Sequence, residues 1–525
     1  MMIKEFNITG TCIPEFHYMV DTTRKLQKVI NLVEKRKYFI INRPRQYGKT
    51  TTMFLLDKKL NSTEEYLSIK ISFEGIGDSV FESEDKFSKA FLDIMIQDLG
   101  FKNEKLEQFL EIEKNTVSTL MDLSKVITKF VKNSNKKVVL MIDEVDKSSN
   151  NQLFLSFLGM LRTKYLLRNE GRDFTFHSII LGGVHDVKGM KLKIRSDEEH
   201  KYNSPWNIAS DFDVDMSFSK EEIETILVDY VQDKKVLLDK EYFSEKLRFY
   251  TSGYPFLVSK LCKIIDEKIM DEEKLEWKRE YMDEAVKEIL KDDNTNFDSL
   301  IKNIENNKEL YDFVRKIVLD GENISYVKTD NIINIGTTYG ILKEENGVCK
   351  VNNRIYEQLL YNHMMVKVLR EGKSSMFQYN NRSQFIKEDG SLDIKQVLVR
   401  FQDFMKHEYS NKRKTFLEED GRLLFLAFIS PIINGTGFAF KEVKGGDERR
   451  FDIVITYEKR MYIIELKIWR GEEYHKKGLI QLGEYLDQYN LKEGYLLVYD
   501  FRRNGLLGKV EESSIEDKRI VEVYC

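Results

Sequence analysis

The stretch Tyr38–Leu56, YFIINRPRQYGKTTTMFLL, passes from an apolar run of β-forming residues through a short polar loop into a segment that reads as a helix. The loop ends in Gly48-Lys49-Thr50, as a phosphate-binding loop does, although Arg43 stands where the usual GxxxxGK[ST] pattern has its first glycine. Strand, loop and helix in that order give the tripeptide its chemistry. Successive backbone N–H groups and the helix N-terminus hold phosphate oxygens, Lys49 reaches the terminal phosphates, Thr50 ligates Mg²⁺, and Gly48 lets the backbone approach closely. A GKT at the start of an ordinary surface helix is the competing reading, and a second motif weighs against it. Residues 137–146, KVVLMIDEVD, form a continuous apolar strand ending in Asp143-Glu144. Asp143 is expected to hold the Mg²⁺ and its waters, and Glu144 to polarise the attacking water. Together the two motifs predict an ATP-binding and ATP-hydrolysing core. Its loop residues are Arg43, Pro44, Arg45, Gln46, Tyr47, Gly48, Lys49, Thr50 and Thr51.

Further along, FHSIILGGVHD is a strand ending in His185-Asp186, and FYTSGYPFLVSKLCKIID sets Gly253-Tyr254-Pro255 at the start of an amphipathic helix. The segments YFIINRPRQYGKTTT, VVLMIDEVDK, ILGGVHD, SPWNIA and GYPFLV make the region up to about residue 295 resemble the AAA-ATPase-like family of bacterial and archaeal proteins, related to the STAND and origin-recognition ATPases. The resemblance accounts for Arg43, because an Arg-Pro-Arg run replaces the first glycine in that family. It also implies His185 beside the γ-phosphate and Tyr254 and Pro255 near the adenine, although a proline opening any helix would look the same. Pro44 fixes the path into the loop. Arg43 or Arg45 either adds a fixed positive charge near the phosphates or makes a surface salt bridge.

A chain of 525 residues is too long for one core and predicts several modules. Hydrophobic residues make up 42% and there are only five prolines, which leaves little room for disorder. Lys and Arg number 83 against 87 Asp and Glu, so a polyanion site has to be a local patch. The four cysteines, Cys12, Cys262, Cys349 and Cys525, lack metal-ligand spacing and suit a reducing compartment. With no run of about 18 apolar residues and no signal-like N-terminus, a cytoplasmic protein without membrane contact is expected.

The expected fold class is α/β. A P-loop AAA+-like parallel sheet occupies residues 1–217 and a helical lid residues 218–295. Residues 296–370 alternate helix and strand with Gly321, Gly340 and Gly347 at turns, which suggests a winged helix. Its candidate recognition helix has few basic residues, so a structural role is favoured over direct DNA reading.

From residue 375 to residue 525 a final α/β domain is expected. Within GFAFKEVKGGDERRFDIVITYEKRMYIIELKIWR, two strands form a hairpin turning near Glu458-Lys459-Arg460. Alternation puts Glu465 and Lys467 on one sheet face with Leu466 buried on the other, and Asp452 can approach them across the hairpin. Two carboxylates in a half-buried setting repel unless a cation lies between them, and oxygen-only ligation suits Mg²⁺ or Mn²⁺. A neighbouring lysine can orient or deprotonate a water. Any charged hairpin offers such residues somewhere, but Glu465 interrupts an otherwise apolar strand, where an acid carries a desolvation cost. This arrangement resembles the PD-(D/E)xK nuclease superfamily, of restriction-endonuclease-like fold. The resemblance implies Asp452 and Glu465 as metal ligands, Lys467 as the catalytic lysine, Gln481 as the motif-four glutamine and Glu418 or Glu419 as the first-helix acid. Phe451 stands where the proline of the superfamily's name would be.

The reading that follows is an ATP-dependent nuclease acting on nucleic acid, with DNA favoured, in which the ATPase gates or positions cleavage and assembles as a homo-oligomer through the ATPase domain. The fusion of ATPase and nuclease suggests anti-phage or mobile-element biology by analogy alone. A nucleotide-controlled signalling or scaffold protein that binds nucleic acid without cutting it is the alternative.

Overall fold

Short runs of branched and aromatic residues become strands because they are too brief for buried helices and fit a pleated surface. In the computed structural model β1 (Tyr38–Asn42), β2 (Tyr66–Ser72), β3 (Lys137–Asp143) and β4 (Ser178–Gly183) form an all-parallel sheet of order β1-β4-β3-β2. The structure describes residues 4–148, 151–184, 206, 208–271, 273–292, 294–319, 322, 324–370, 382–408, 418–433, 437–444, 450–457, 460–502 and 508–525. Outside β1, Ser210 makes one parallel bridge to Phe39, its N–H donating to the Tyr38 carbonyl at 2.8 Å.

The period of two divides this sheet's core. Tyr38, Ile40, Val138, Leu140, Ile142, Ile179 and Leu181 join buried residues of α3 (Glu84–Leu99), α4 (Glu104–Lys114), α5 (Leu120–Asn133) and α6 (Gln152–Asn169). Phe39, Ile41, Val139, Met141 and Ile180 face instead α1 (Thr23–Glu34) and α2 (Lys49–Asn61). Parallel strands covered on both faces read as continuous apolar runs, as YFII and VVLMI do.

The expected lid is helical: α7 (Lys220–Lys234), α8 (Lys240–Thr251) and α9 (Pro255–Ile264) follow one another. Ser219 and Glu222 close a capping box that starts α7, and Pro255 starts α9 where a missing N–H costs nothing. Then come α10 (Glu280–Lys291), α11 (Thr295–Glu305), α12 (Lys308–Val318), α13 (Asn331–Thr338), the hairpin β5 (Leu342–Glu345) and β6 (Val348–Val351), and α14 (Arg354–Arg370). Asn346 and Gly347, with φ of +53° and +79°, supply the left-handed pair that a two-residue hairpin turn needs.

The chain forms two compact units. One comprises Met1–Met282, Asn294–Leu300 and Lys328–Lys343; the other comprises Asp283–Asp293, Ile301–Val327 and Glu344–Cys525. This division is coarser than the boundaries read from sequence.

The second unit carries α15 (Ile394–Glu408), α16 (Glu418–Ile433) and a six-stranded mixed sheet. Its strands are β7 (Gly437–Lys444), β8 (Arg450–Tyr457), β9 (Arg460–Ile468), β10 (Glu493–Tyr499), β11 (Val510–Ile515) and β12 (Lys518–Tyr524), in the order β11-β12-β10-β9-β8-β7. The hairpin expected between Asp452 and Lys467 is β8 and β9, antiparallel, with Tyr457 opposite Arg460. Between β9 and β10 runs α17 (Glu472–Gln488), and β9, β10 and β12 are mutually parallel. Gly494 of β10 leaves room for Leu482 and Leu486 of α17, whereas Tyr499 packs on Gly421 of α16. Residues 494 and 499 point to opposite faces, so α17 and α16 cover opposite sides of the sheet.

Candidate nucleotide site and candidate metal site

The loop between β1 and α2 turns through two left-handed residues, Gln46 (φ +55°) and Gly48 (φ +80°). Lys49, only 7% exposed, points back into the loop, where its Nζ donates to the carbonyls of Arg43 and Pro44, each at 2.9 Å. Burial pulls its pKa below the usual lysine range against the opposing pull of Glu144, Asp146 and Asp143. Thr52 returns a hydrogen bond to the Gly48 carbonyl at 2.9 Å, and Thr51 Oγ1 accepts the Cys12 N–H at 3.1 Å. Thr50, half-buried, is the second residue of α2.

The two arginines separate. Arg43 donates to the carbonyls of Phe212 at 3.2 Å and Val214 at 2.7 Å, and its guanidinium lies 5.1 Å from the Phe212 ring centre. Arg43 thus clamps the 212–214 segment to the sheet edge, a role that neither sequence reading anticipated. Arg45 is exposed, and its charge is felt at Lys49.

Asp143 ends β3 on the face of Val139 and Met141, the α2 side, and is 3% exposed. Its Oδ1 accepts the N–H of Glu144, a residue held at φ +56°. Burial first, and Asp143 second, push the Glu144 carboxyl above the ordinary glutamate range. The two glycines of β4 make room for these acids: a Cβ on Gly182 would lie 2.7 Å from Asp143 Oδ1, and one on Gly183 3.0 Å from Asp146 Oδ1. Asp146 Oδ2 accepts the Val184 N–H at 2.5 Å. Neither the glycine pair nor Asp146 was singled out from sequence, though ILGG and DEVD displayed both. His185 lies outside the described residues.

Beside the loop opens a pocket of about 160 Å³ with mostly apolar walls. Val20, Leu26, Tyr47, Thr51, Met216 and Pro255 line it, as do residues 7–10 and Cys12. Pro255, the first residue of α9, is part of its wall. Tyr254 does not line the pocket; its hydroxyl donates to the Arg45 carbonyl at 2.5 Å and its ring meets Tyr47 edge-on at 4.6 Å. The contribution of residues 7–29 was invisible in the sequence, which carries no local motif there.

In the second unit Glu465 is 1% exposed and its Oε1 accepts from Lys467 Nζ at 2.8 Å. Leu466 is fully buried on the other face, as alternation required. Gly478 of α17 lies against the Lys467 methylenes, 3.3 Å from Cε for a Cβ there. Gln481, one turn on, donates to the Tyr485 hydroxyl at 2.5 Å. The β8–β9 register pairs Ile453 with Ile464, so one further step sets Asp452 opposite Glu465. The side chains of Asp452, Glu418 and Glu419 lie outside the described ones. Glu418 and Glu419 open α16, which packs on the sheet face opposite Glu465. No group of three or more His, Cys, Asp or Glu poised for a metal occurs among the described residues.

A buried polar cluster went unnoticed in the sequence because its members are scattered. His475 in the first turn of α17 meets Glu522 at 2.7 Å, and Ser513 donates to the same carboxylate at 2.6 Å. Burial pushes the Glu522 pKa up, but these partners and Tyr524 hold it below the usual range.

The AAA-like domain family matches residues 17–362. Among solved structures, a Walker-type ATPase of Pyrococcus abyssi is 14% identical with a TM-score of 0.48, over 68% of this chain and 99% of that one. The Aeropyrum pernix ORC2 protein in its ADPNP–ADP complexes is 11% identical with a TM-score of 0.38, over 69% and 98%. The Thermotoga maritima RuvB Holliday junction branch migration motor is 12% identical with a TM-score of 0.32, over 68% and 99%. These likenesses are too distant to carry an argument, and comparison with curated proteins found no match. No helix among the described residues is long and apolar enough to cross a membrane. The family match spans most of the chain and contains the phosphate loop and the acidic strand end, and the chain belongs to the AAA-like domain family of P-loop ATPases.

Proposed function

We propose that the protein binds and hydrolyses ATP in its first unit and cleaves nucleic acid, DNA above all, with a metal-dependent nuclease domain in its second. The observation that carries the first half is Lys49, a buried ammonium on the loop carbonyls of Arg43 and Pro44, next to Asp143 and Glu144. Phosphate oxygens compete well for such a group, because a charge-assisted bond to an anion exceeds one to a neutral carbonyl. The adjoining apolar pocket suits a base, with Pro255 in its wall. Glu144, its pKa raised, is the proton acceptor for the attacking water. The acids fit a divalent cation, since Asp143 and Glu144 set two carboxylates, one of them buried, close enough to repel at the end of β3. Thr50 and Asp143 would hold Mg²⁺, which when bound supplies charge neutralisation at the phosphates.

The second half rests on Glu465 and Lys467, an acid and an ammonium almost removed from water on the face that meets α17, with Asp452 at the opposite register position. A carboxylate so buried needs countercharge, and Lys467 supplies one part of it. Asp452 and Glu465 would hold Mg²⁺ or Mn²⁺, which when bound supplies Lewis acidity toward a phosphodiester. Lys467 orients the water, and Gln481, one turn beyond Gly478 on the helix covering that lysine, completes the proposed set. Glu419, or Glu418, in the first turn of α16, is proposed as the first-helix acid of that set.

Purified protein incubated with linear, circular and single-stranded DNA and with RNA, with and without ATP and Mg²⁺, tests the reading. The parent is expected to cut, Asp452→Ala and Glu465→Ala to lose both Mn²⁺ binding by calorimetry and nearly all cleavage, and Lys467→Ala to keep the metal while losing ~10²-fold or more in rate. Affinity for nucleic acid without cleavage by the parent points instead to a binding module under nucleotide control.

A further inference from the structure

The turn that follows α13 touches the phosphate loop from outside. Gly340 has φ +71°, and a Cβ there would lie 2.6 Å from Pro44 Cγ and 2.8 Å from Pro44 Cβ. Only glycine satisfies both the left-handed backbone and the close approach. Beside it, Tyr254 donates to the Arg45 carbonyl and packs on Tyr47, and Lys343 Nζ donates to Ser252 Oγ at 3.2 Å. Pro44, Arg45 and Tyr47 are thereby held by the α13 turn and the start of α9.

From inside, Lys49 holds the carbonyls of Arg43 and Pro44. A bound terminal phosphate draws the ammonium away from both carbonyls, and one of the two residues that lose the donor, Pro44, is the residue whose ring Gly340 abuts. We infer that the Gly340 turn, with Tyr254, is a positioning element of the phosphate loop through which nucleotide occupancy reaches residues 331–343. The inference rests on the nucleotide-site reading. Coupling of this kind is reciprocal, so disturbing the turn must change nucleotide affinity. Immediately after Lys343 the chain passes into the second unit, at one of several such crossings along the sequence.

The test is titration of the full chain and its variants with a fluorescent ATP analogue, paired with hydrogen exchange. Gly340→Ala should weaken binding ~10-fold, and Tyr254→Phe, which removes the hydroxyl that bonds the Arg45 carbonyl, should weaken it less but measurably. Gly171→Ala serves as the control, since Gly171 has φ +73° with nothing within 4 Å of a Cβ and so carries the same backbone strain away from the loop. In the parent, ATP should slow exchange of the Gly340 and Ile341 amides, and in Gly340→Ala it should not. If the parent binds the analogue and both variants bind as tightly, with exchange of residues 331–343 indifferent to ATP, the inference is overturned while the nucleotide site stands. A parent that binds no nucleotide removes both. Should Gly340→Ala fail to fold, Tyr254→Phe and the parent's exchange data decide alone.

Discussion

Lys49 and Glu144 show how one loop and one strand end assign opposite tasks to two charges. Burial pulls the Lys49 ammonium down and pushes the Glu144 carboxyl up, each toward its neutral form, while their mutual attraction opposes both shifts. Glu144 is held in a left-handed conformation, rare for a residue with a side chain, and such local strain persists only where the surroundings over-determine it. Asp143 does so through its bond to the Glu144 N–H. Glu144→Gln keeps the shape of the side chain and its hydrogen bonding to water but cannot accept a proton. Nucleotide binding is expected to survive and turnover to fall ~10²- to 10⁴-fold, as measured by phosphate release under saturating ATP. Undiminished release would take the proton-accepting role from Glu144.

Elements in this chain are placed by register, and register decides which side chains meet. A one-residue slip of β9 would send Glu465 to the α16 face and Leu466 to the α17 face. The α17 helix is held in place at its first turn, where His475 binds Glu522 of β12, a residue paired through Leu496 with Glu465. Glu522 has a lowered pKa in the folded chain, so its contribution to stability is complete above the ordinary glutamate pKa of about 4.3 and is lost as pH falls through the lower folded value. Glu522→Gln removes the charge that His475, Ser513 and Tyr524 share. The variant is expected to be less stable by ~1–3 kcal/mol near pH 7, with the gap to the parent closing below about pH 4. Denaturant titrations at several pH values check this. A gap independent of pH would mean that the carboxylate is not what holds the helix.

At the scale of the whole molecule the chain does not finish one unit before starting the next: residues 328–343 return to the first unit after residues 301–327 have joined the second. Sequence boundaries at 295 and 370 treat that region as one module, because local helix and strand patterns carry no information about which core a segment joins. If ATP binding controls cleavage, Lys49→Ala should lose ATP binding and with it at least ~10-fold of any ATP-stimulated cutting, measured on linear DNA with Mg²⁺. Cleavage by Lys49→Ala equal to that of the parent would leave the two activities independent.

The amino-acid sequence by itself determined the strand–loop–helix around Lys49, the acidic end of β3, the helices after Ser219 and the β8–β9 hairpin with Glu465 and Lys467 facing together. Each of these depends on spacing within a few residues: the period of two, the period of 3.6, a cap, or a glycine before a lysine. Only the tertiary structure decided that Arg43 clamps the 212–214 segment, that residues 7–12 wall the pocket, and that Gly340 lies on Pro44. It alone set α16 on the sheet face away from Glu465 and gathered His475, Ser513, Glu522 and Tyr524. These partners are separated by tens to hundreds of residues, and what brings them together is burial of apolar faces across the fold, which no local pattern encodes.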